Sequence, residues 1–215
     1  MVQLRILLPT LLLTFGLNAQ AYYLHQATGD ILKKDEYRVG VTPQFIVDPG
    51  SDFNLSAYAD MGFNRDFNLR AVLGFGDNFH TGIFANYVPV PDVEGQPAIG
   101  VLGGVMIARP GADLTEVSFR AHPFASKKFE TEIGVFDAYG ALPIGLRFLD
   151  GDTDLPAQLT FGTNWLTYNF QNVMFNAELG IDLSESFSYI AIGVVISLDE
   201  QQDFKVQPQR VRFGQ

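Results

Sequence analysis

Between Asp52 and Phe75 apolar and polar side chains alternate along the chain. Phe53, Leu55, Ala57, Ala59, Met61 and Phe63 form one set, and Asn54, Ser56, Tyr58, Asp60, Gly62 and Asn64 form the other. After Asn64-Arg65-Asp66 the pattern resumes, with Phe67, Leu69, Ala71, Leu73 and Phe75 set against Asn68, Arg70, Val72, Gly74 and Gly76. A period of two sends successive side chains to opposite faces of a strand. The stretch therefore predicts a β-hairpin with one oily and one polar face. Each strand runs well past the ~5–6 residues usual in soluble sheets, and close to the ~9–11 that a tilted strand needs to cross a bilayer.

The same pattern recurs on both sides of this hairpin. It predicts strands over 36–47, 79–90, 98–108, 114–128, 158–165, 173–182 and 187–198, separated by turn signals such as Asp48-Pro49-Gly50-Ser51 and Ser184-Glu185-Ser186. Pro89, Pro91 and Pro97 bracket a longer connection, and 150–156 reads as a polar loop. Residues 129–148 allow two readings: a turn near 131–134 followed by one strand, or two short strands with a turn near 137–140. The first gives ten strands; the second, with 204–213 added, gives twelve. An even number lets an antiparallel barrel close with both termini on one side. The expected fold is an all-β, antiparallel, up-and-down transmembrane barrel of about ten strands, within a range of eight to twelve.

The chain starts with Arg5, an apolar run from Ile6 to Phe15 and an Ala19-Gln20-Ala21 cleavage signature. These are the marks of a secretory signal peptide over 1–21, followed by a lead-in over 22–35, the barrel over 36–198 and a polar tail over 199–215. No later run is long and apolar enough for a membrane-spanning helix. The chain has no cysteine, which excludes disulfides, thiol catalysis and lipoprotein-type lipidation. Its net charge of -10 argues against nucleic acid as a partner. Aromatic residues make up 13%, as expected where aromatic girdles mark two lipid interfaces.

Period two alone does not say which face is wet, because a soluble barrel alternates as well. The polar faces favour lipid on the other side. They carry few lysines, many glycines, and scattered charges of both signs, as suits a narrow lumen whose side chains pair with one another. Arg38, Asp60, Arg70, Arg120, Arg147 and Glu178 are the candidates for a lumen polar network. If a pore exists, these groups would set its ion preference.

With its signal peptide, hairpin series, and turns such as Phe63-Asn64-Arg65-Asp66-Phe67 and Asp182-Leu183-Ser184-Glu185-Ser186, the chain resembles small outer-membrane β-barrel proteins of Gram-negative bacteria. The resemblance covers most of 36–198 and is architectural. It implies residence in the outer membrane, with outer-membrane lipid or lipopolysaccharide and the barrel-assembly machinery as partners. Such barrels usually end on a terminal aromatic residue; here the last expected strand ends at Leu198, and Phe213 is followed by Gly214 and Gln215.

Chemistry-bearing motifs are few. Outer-membrane lipid-modifying enzymes resemble this chain in architecture and need a serine, a histidine and an acid. Among His25, His80 and His122, only His122 shares a strand face with serines, Ser118 and Ser126. Two strand residues span about 7 Å, too far for contact. His80 follows a turn and is expected at the rim. Asp150, Asp152 and Asp154 have the opening spacing of a calcium loop, but Leu155 and Phe161 stand where that loop needs glycine and glutamate. The trio stays a candidate only for a looser cation or lipopolysaccharide-bridging site. No cofactor motif is present. The sequence thus points to a non-enzymatic outer-membrane barrel, structural or a narrow channel for small solutes. The alternatives are a soluble periplasmic lipocalin-like barrel that binds lipid inside, and an outer-membrane lipid-modifying enzyme.

Overall fold

The computed structural model describes residues 24–76, 79–109, 114–170 and 172–199. The expected signal peptide, the turns at 77–78 and 110–113, and the tail from 200 onward lie outside the described residues. The strands are β1 (Glu36–Asp48), β2 (Asp52–Asn64), β3 (Phe67–Gly76), β4 (Phe79–Val90), β5 (Ala98–Arg109), β6 (Glu116–Thr131), β7 (Gly134–Ala141), β8 (Ile144–Leu149), β9 (Asp152–Asp154), β10 (Ala157–Thr167), β11 (Val173–Ser184) and β12 (Ser188–Asp199). Every pairing is antiparallel, and most join neighbours along the chain; β1–β12, β6–β8, β7–β10 and β8–β10 do not. The ring closes where β12 meets β1, with Val39 opposite Ile196 and Phe45 opposite Ile190.

These twelve segments make ten staves. β6 pairs with β7 at Phe124–Ala141 and with β8 at Ala121–Ile144 without a change of register. So 134–149 is one stave interrupted at Leu142-Pro143. β9 and β10 likewise form one stave interrupted at Leu155-Pro156, because Arg147 faces Asp154 and Ile144 faces Ala157 in the same register. Proline cannot donate to a ladder, which accounts for both breaks. Of the two readings of 129–148, the turn near 131–134 followed by one strand is the one that forms; 137–140 lies inside β7. The span 150–156, expected as a polar loop, instead carries β9 in a hairpin with β8.

The apolar set faces out. Phe53 is 44% exposed and Ile192 59%, whereas Asp60 and Arg70 are each 7% exposed. Aromatic pairs ring both ends. At the end remote from the start of β1, Phe45 meets Phe53, Phe75 meets Phe79, and Phe119 meets Phe148. At the end where β1 starts and β12 finishes, Phe63 meets Phe67, and Trp165 sits between Phe136 and Phe175. From Phe53 to Phe63 is ten residues along β2. At ~3.3 Å per residue and a tilt of ~40°, that spans about 25 Å, the height of the apolar band on a membrane barrel. An oily exterior around a polar interior is the reverse of a lipocalin-like lipid binder, so the soluble alternative fails.

The outward face sets a clear expectation for stability. Ile192→Lys places an ammonium on the lipid side near mid-height of β12, and is expected to cost about 2–4 kcal/mol. Ile192→Leu should cost little. Denaturant titration of the protein folded into lipid vesicles reads both; an unchanged midpoint for the lysine variant would put this face in water.

Candidate functional site in the plugged lumen

Residues 24–32 of the lead-in run inside the barrel, whereas Lys33, Lys34 and Asp35 are exposed. His25, Gln26, Ala27, Thr28 and Leu32 are all buried, His25 completely. The segment forms no ladder with the wall, yet a buried backbone must still find partners. Lumen side chains supply them. Glu178 on β11 accepts from the backbone N–H groups of His25 (2.9 Å) and Gln26 (2.6 Å). Ser126 on β6 accepts from Gly29 N–H and Asn68 on β3 from Leu32 N–H. In the other direction, Arg70 donates to the carbonyls of His25 (2.8 Å) and Gln26 (3.4 Å), and Asn86 to that of Thr28. The Gln26 side chain donates to Asn176 and accepts from Thr42. A pocket between the segment and the wall, lined by Arg38, Tyr58, Asp60 and Arg70 among others, has about 10 Å³ of free space, room for about one water molecule.

All six candidate lumen residues lie on the inward side of the wall, in two groups. Arg70 and Asp60 face each other across β3 and β2 and form a two-pronged ion pair at 2.6 and 2.9 Å. The Arg70 guanidinium also lies 4.2 Å over the Tyr58 ring. Glu178 joins this group through the inserted backbone and through the hydroxyls of Tyr139 and Tyr189, which both donate to it. Both rings lie against cross-strand glycines: a Cβ at Gly162 would overlap Tyr139, and one at Gly180 would overlap Tyr189. Arg38 grips the inserted segment at the rim by pairing with Asp30, which Lys128 also reaches. Burial pushes the Asp30 carboxyl up, but the two cations outweigh it and hold it well below the usual carboxylate range.

The second group lies toward the opposite end. Arg120 donates to Ser118 (2.9 Å) and pairs with Glu116 (3.3 Å); Arg147 pairs with Asp154 (2.6 Å) and lies 4.0 Å from Glu185. The expected single network is thus split by height along the barrel. The Asp150–Asp154 trio is dispersed as well: Asp154 is drawn to Arg147, while Asp150 and Asp152 sit exposed at the hairpin tip. Among the described residues no cluster of three or more His, Cys, Asp or Glu forms a candidate metal site.

Above the inserted segment the lumen turns apolar. Phe84, Leu102, Met106, Phe187 and Tyr189 pack with Ala27 into a buried cluster, against which Leu24 rests. The histidines also belong to the interior. His25 Nδ1 lies 3.4 Å from His122 Nδ1, and the His25 ring packs against Phe124 and Tyr139. His80, expected at the rim, is wholly buried, with its Nε2 3.1 Å from Ser56 Oγ. Serine 56 faces inward because the period-two pattern of β2 puts it there; its meeting with His80 depends on β3 lying between them, which no local pattern announces.

No family model matches the chain, and no curated protein does. Solved structures resemble it at the level of fold. An outer membrane channel from Pseudomonas putida F1 aligns with a TM-score of 0.49 at 10% identity, over 82% of this chain and 100% of that one. The translocator domain of the autotransporter NalP from Neisseria meningitidis aligns with a TM-score of 0.45 at 10% identity, over 75% of this chain and 85% of that one. A de novo designed transmembrane β-barrel aligns with a TM-score of 0.42 at 12% identity, over 79% and 100%. Closed ring, apolar belt and two girdles define the class on their own: this is a membrane β-barrel protein.

The Asp60–Arg70 pair tests how tightly the interior depends on its charges. Arg70→Ala strands the Asp60 carboxylate beside a buried backbone, and is expected to cost about 3–5 kcal/mol. The double change Asp60→Leu with Arg70→Met removes both charges and should cost less. Vesicle unfolding midpoints of the three proteins, with the single variant as stable as the parent, would show that the pair is solvated.

Proposed function

We propose that this protein is a non-enzymatic outer-membrane barrel, held shut by its own residues 24–32 and acting as a closed structural body rather than an open pore. One observation carries the reading: residues 25–28 and Leu32 are buried among lumen side chains, and the pocket beside them, between Arg38, Tyr58, Asp60 and Arg70, has only about 10 Å³ free. The apolar cluster of Phe84, Leu102, Met106, Phe187 and Tyr189 packs next to the segment through Ala27, and buried polar groups such as Glu116, Arg120 and His80 occupy the rest of the far half of the lumen. Placement in the outer membrane rests on the barrel form itself, since spanning by closed sheets is the habit of that membrane. Insertion by the barrel-assembly machinery and contact with outer-membrane lipid follow from that placement. The non-enzymatic reading is supported by the Ser56–His80 contact being sealed, with both residues at 0% exposure.

A second reading, a narrow channel gated by the same segment, is favoured by how residues 24–32 are held. No strand ladder fixes them; side chains such as Glu178, Ser126, Asn68 and Arg70 do, and the wall behind them is polar. Planar-bilayer recording separates the two. The full chain is expected to give no conductance steps. A variant lacking 24–32 should also stay silent, because the apolar cluster and the buried polar groups still close the far half. Steady steps from the deletion variant would replace the closed-barrel reading with the gated channel, and steps from the full chain would reject a permanently filled lumen.

A further inference from the structure

The described outer wall carries an open apolar recess. It lies where the stave of β9 and β10 is interrupted at Leu155-Pro156, beside Gly145 and Leu146 of β8. Above the break Arg147 faces Asp154, and below it Ile144 faces Ala157. Between those pairs one cross-strand bond remains, from Gly145 N–H to the carbonyl of Pro156. Proline has no N–H to return, and Gly145 has no side chain to fill the space. The result is a groove of about 550 Å³, lined by Phe119, Ala121, Ile144, Leu146, Leu155 and Ala157. Its lining is continuous with the lipid-facing belt: Phe119, Ile144, Leu146 and Leu155 are all exposed large apolar residues, Leu155 at 70%.

We infer that this groove holds one acyl chain of a lipopolysaccharide molecule. Three observations select that occupant. Apart from Arg120, the recess is lined by apolar residues continuous with the hydrocarbon-facing belt, so an apolar chain from the bilayer is what meets it. It begins at Phe119, whose ring contacts Phe148 in the girdle remote from the start of β1, so it starts just beneath the headgroup boundary, where an acyl chain enters. It lies in the half of the barrel remote from the start of β1 and the end of β12; with those strand ends toward the periplasm, as in bacterial barrels, that half sits in the outer leaflet. The inference rests on the outer-membrane reading above and adds a specific lipid-binding site to it. The groove's apolar chemistry also separates it from the lumen: an acyl chain here touches the outside of the wall and leaves the inserted segment alone.

The test uses the full mature chain in detergent, with lipid A and phosphatidylethanolamine as separate probes, read by native mass spectrometry. Ala157→Phe and Ile144→Trp fill the groove from two different strands. Ala59→Phe puts the same bulk on the exposed face of β2, on the far wall. Each variant is first checked for insertion into vesicles and for the mobility shift between unboiled and boiled samples. The expected result is one retained lipid A per barrel, weakened about tenfold by either filling change, as loss of roughly two buried methylenes implies, and untouched by Ala59→Phe. Lipid A retention that ignores the filling changes would mean annular lipid only and overturn the site. Preferential retention of phosphatidylethanolamine would overturn the choice of lipid, and a dimer lost on filling would give the groove to a second copy of the chain. Failure of the parent chain to insert would instead sink the outer-membrane reading itself, so the two failures are distinguishable.

Discussion

A peptide group in hydrocarbon has no water to bond with, and each one left unsatisfied costs several kcal/mol. A sheet can meet that demand only by having no edge. The pairing of β12 with β1, from Glu36–Asp199 to Asp48–Ser188, removes the last one. Everything else in the molecule is a consequence of that closure. Once the ring is shut, the pleat sends alternate residues to hydrocarbon and to lumen. A strand such as β2 must then carry Phe53, Leu55 and Met61 on one side, and Asn54, Ser56 and Asp60 on the other.

Closure moves the problem of unsatisfied polar groups inward. A lumen this narrow has little room for bulk water, so its polar side chains need protein partners. Asp60 and Arg70 solve this by pairing across a strand boundary. Glu178 solves it by collecting two tyrosine hydroxyls and two backbone N–H groups. The inserted segment and the polar wall thus meet each other's needs: residues 24–32 bring peptide groups with no ladder, and the wall brings carboxylate, amide and guanidinium groups with no solvent. The aromatic rings that hold Glu178 lie flat only because Gly162 and Gly180 leave room for them.

Much of this was legible in the order of residues. The hairpin from Phe53 to Phe75 shows its two faces directly, and the even strand count implies closure. Period two puts Arg38, Asp60, Arg70, Arg120, Arg147 and Glu178 on the polar face, and the glycines and scattered charges of that face point it inward. What stayed hidden depends on proximity between distant staves. Residues 24–35 have no periodicity because they join no ladder, so they look like a plain lead-in. His80 looks like a rim residue because it follows a turn, yet its place on the inward face of β4 buries it. Asp150, Asp152 and Asp154 have calcium-like spacing in the sequence, but folding β9 back on β8 gives Asp154 to Arg147. Pro143 and Pro156 are visible as ladder breakers; that they fall on adjacent staves, with their carbonyls still bonded to Gln158 and Gly145, is visible only in the register.

For backbone hydrogen bonds, the dependence between ring and inserted segment runs in one direction. The groups that hold residues 24–32 come from staves scattered along the chain: Asn68 on β3, Asn86 on β4, Ser126 on β6 and Glu178 on β11. The bond from His25 to Glu178 spans 153 residues, and that from Gly29 to Ser126 spans 97. The wall pairings, by contrast, join successive staves through turns of a few residues, apart from the one that closes the ring. Short-range contacts carry a small loop-closure cost, and long-range ones carry a larger cost that must be met before they reward it. A chain in which β1 to β12 were not yet arranged would offer the segment no set of partners at all. The wall needs only itself for its backbone, whereas the segment needs the finished wall, and this asymmetry makes residues 24–32 a filling of the lumen rather than a strut of the barrel.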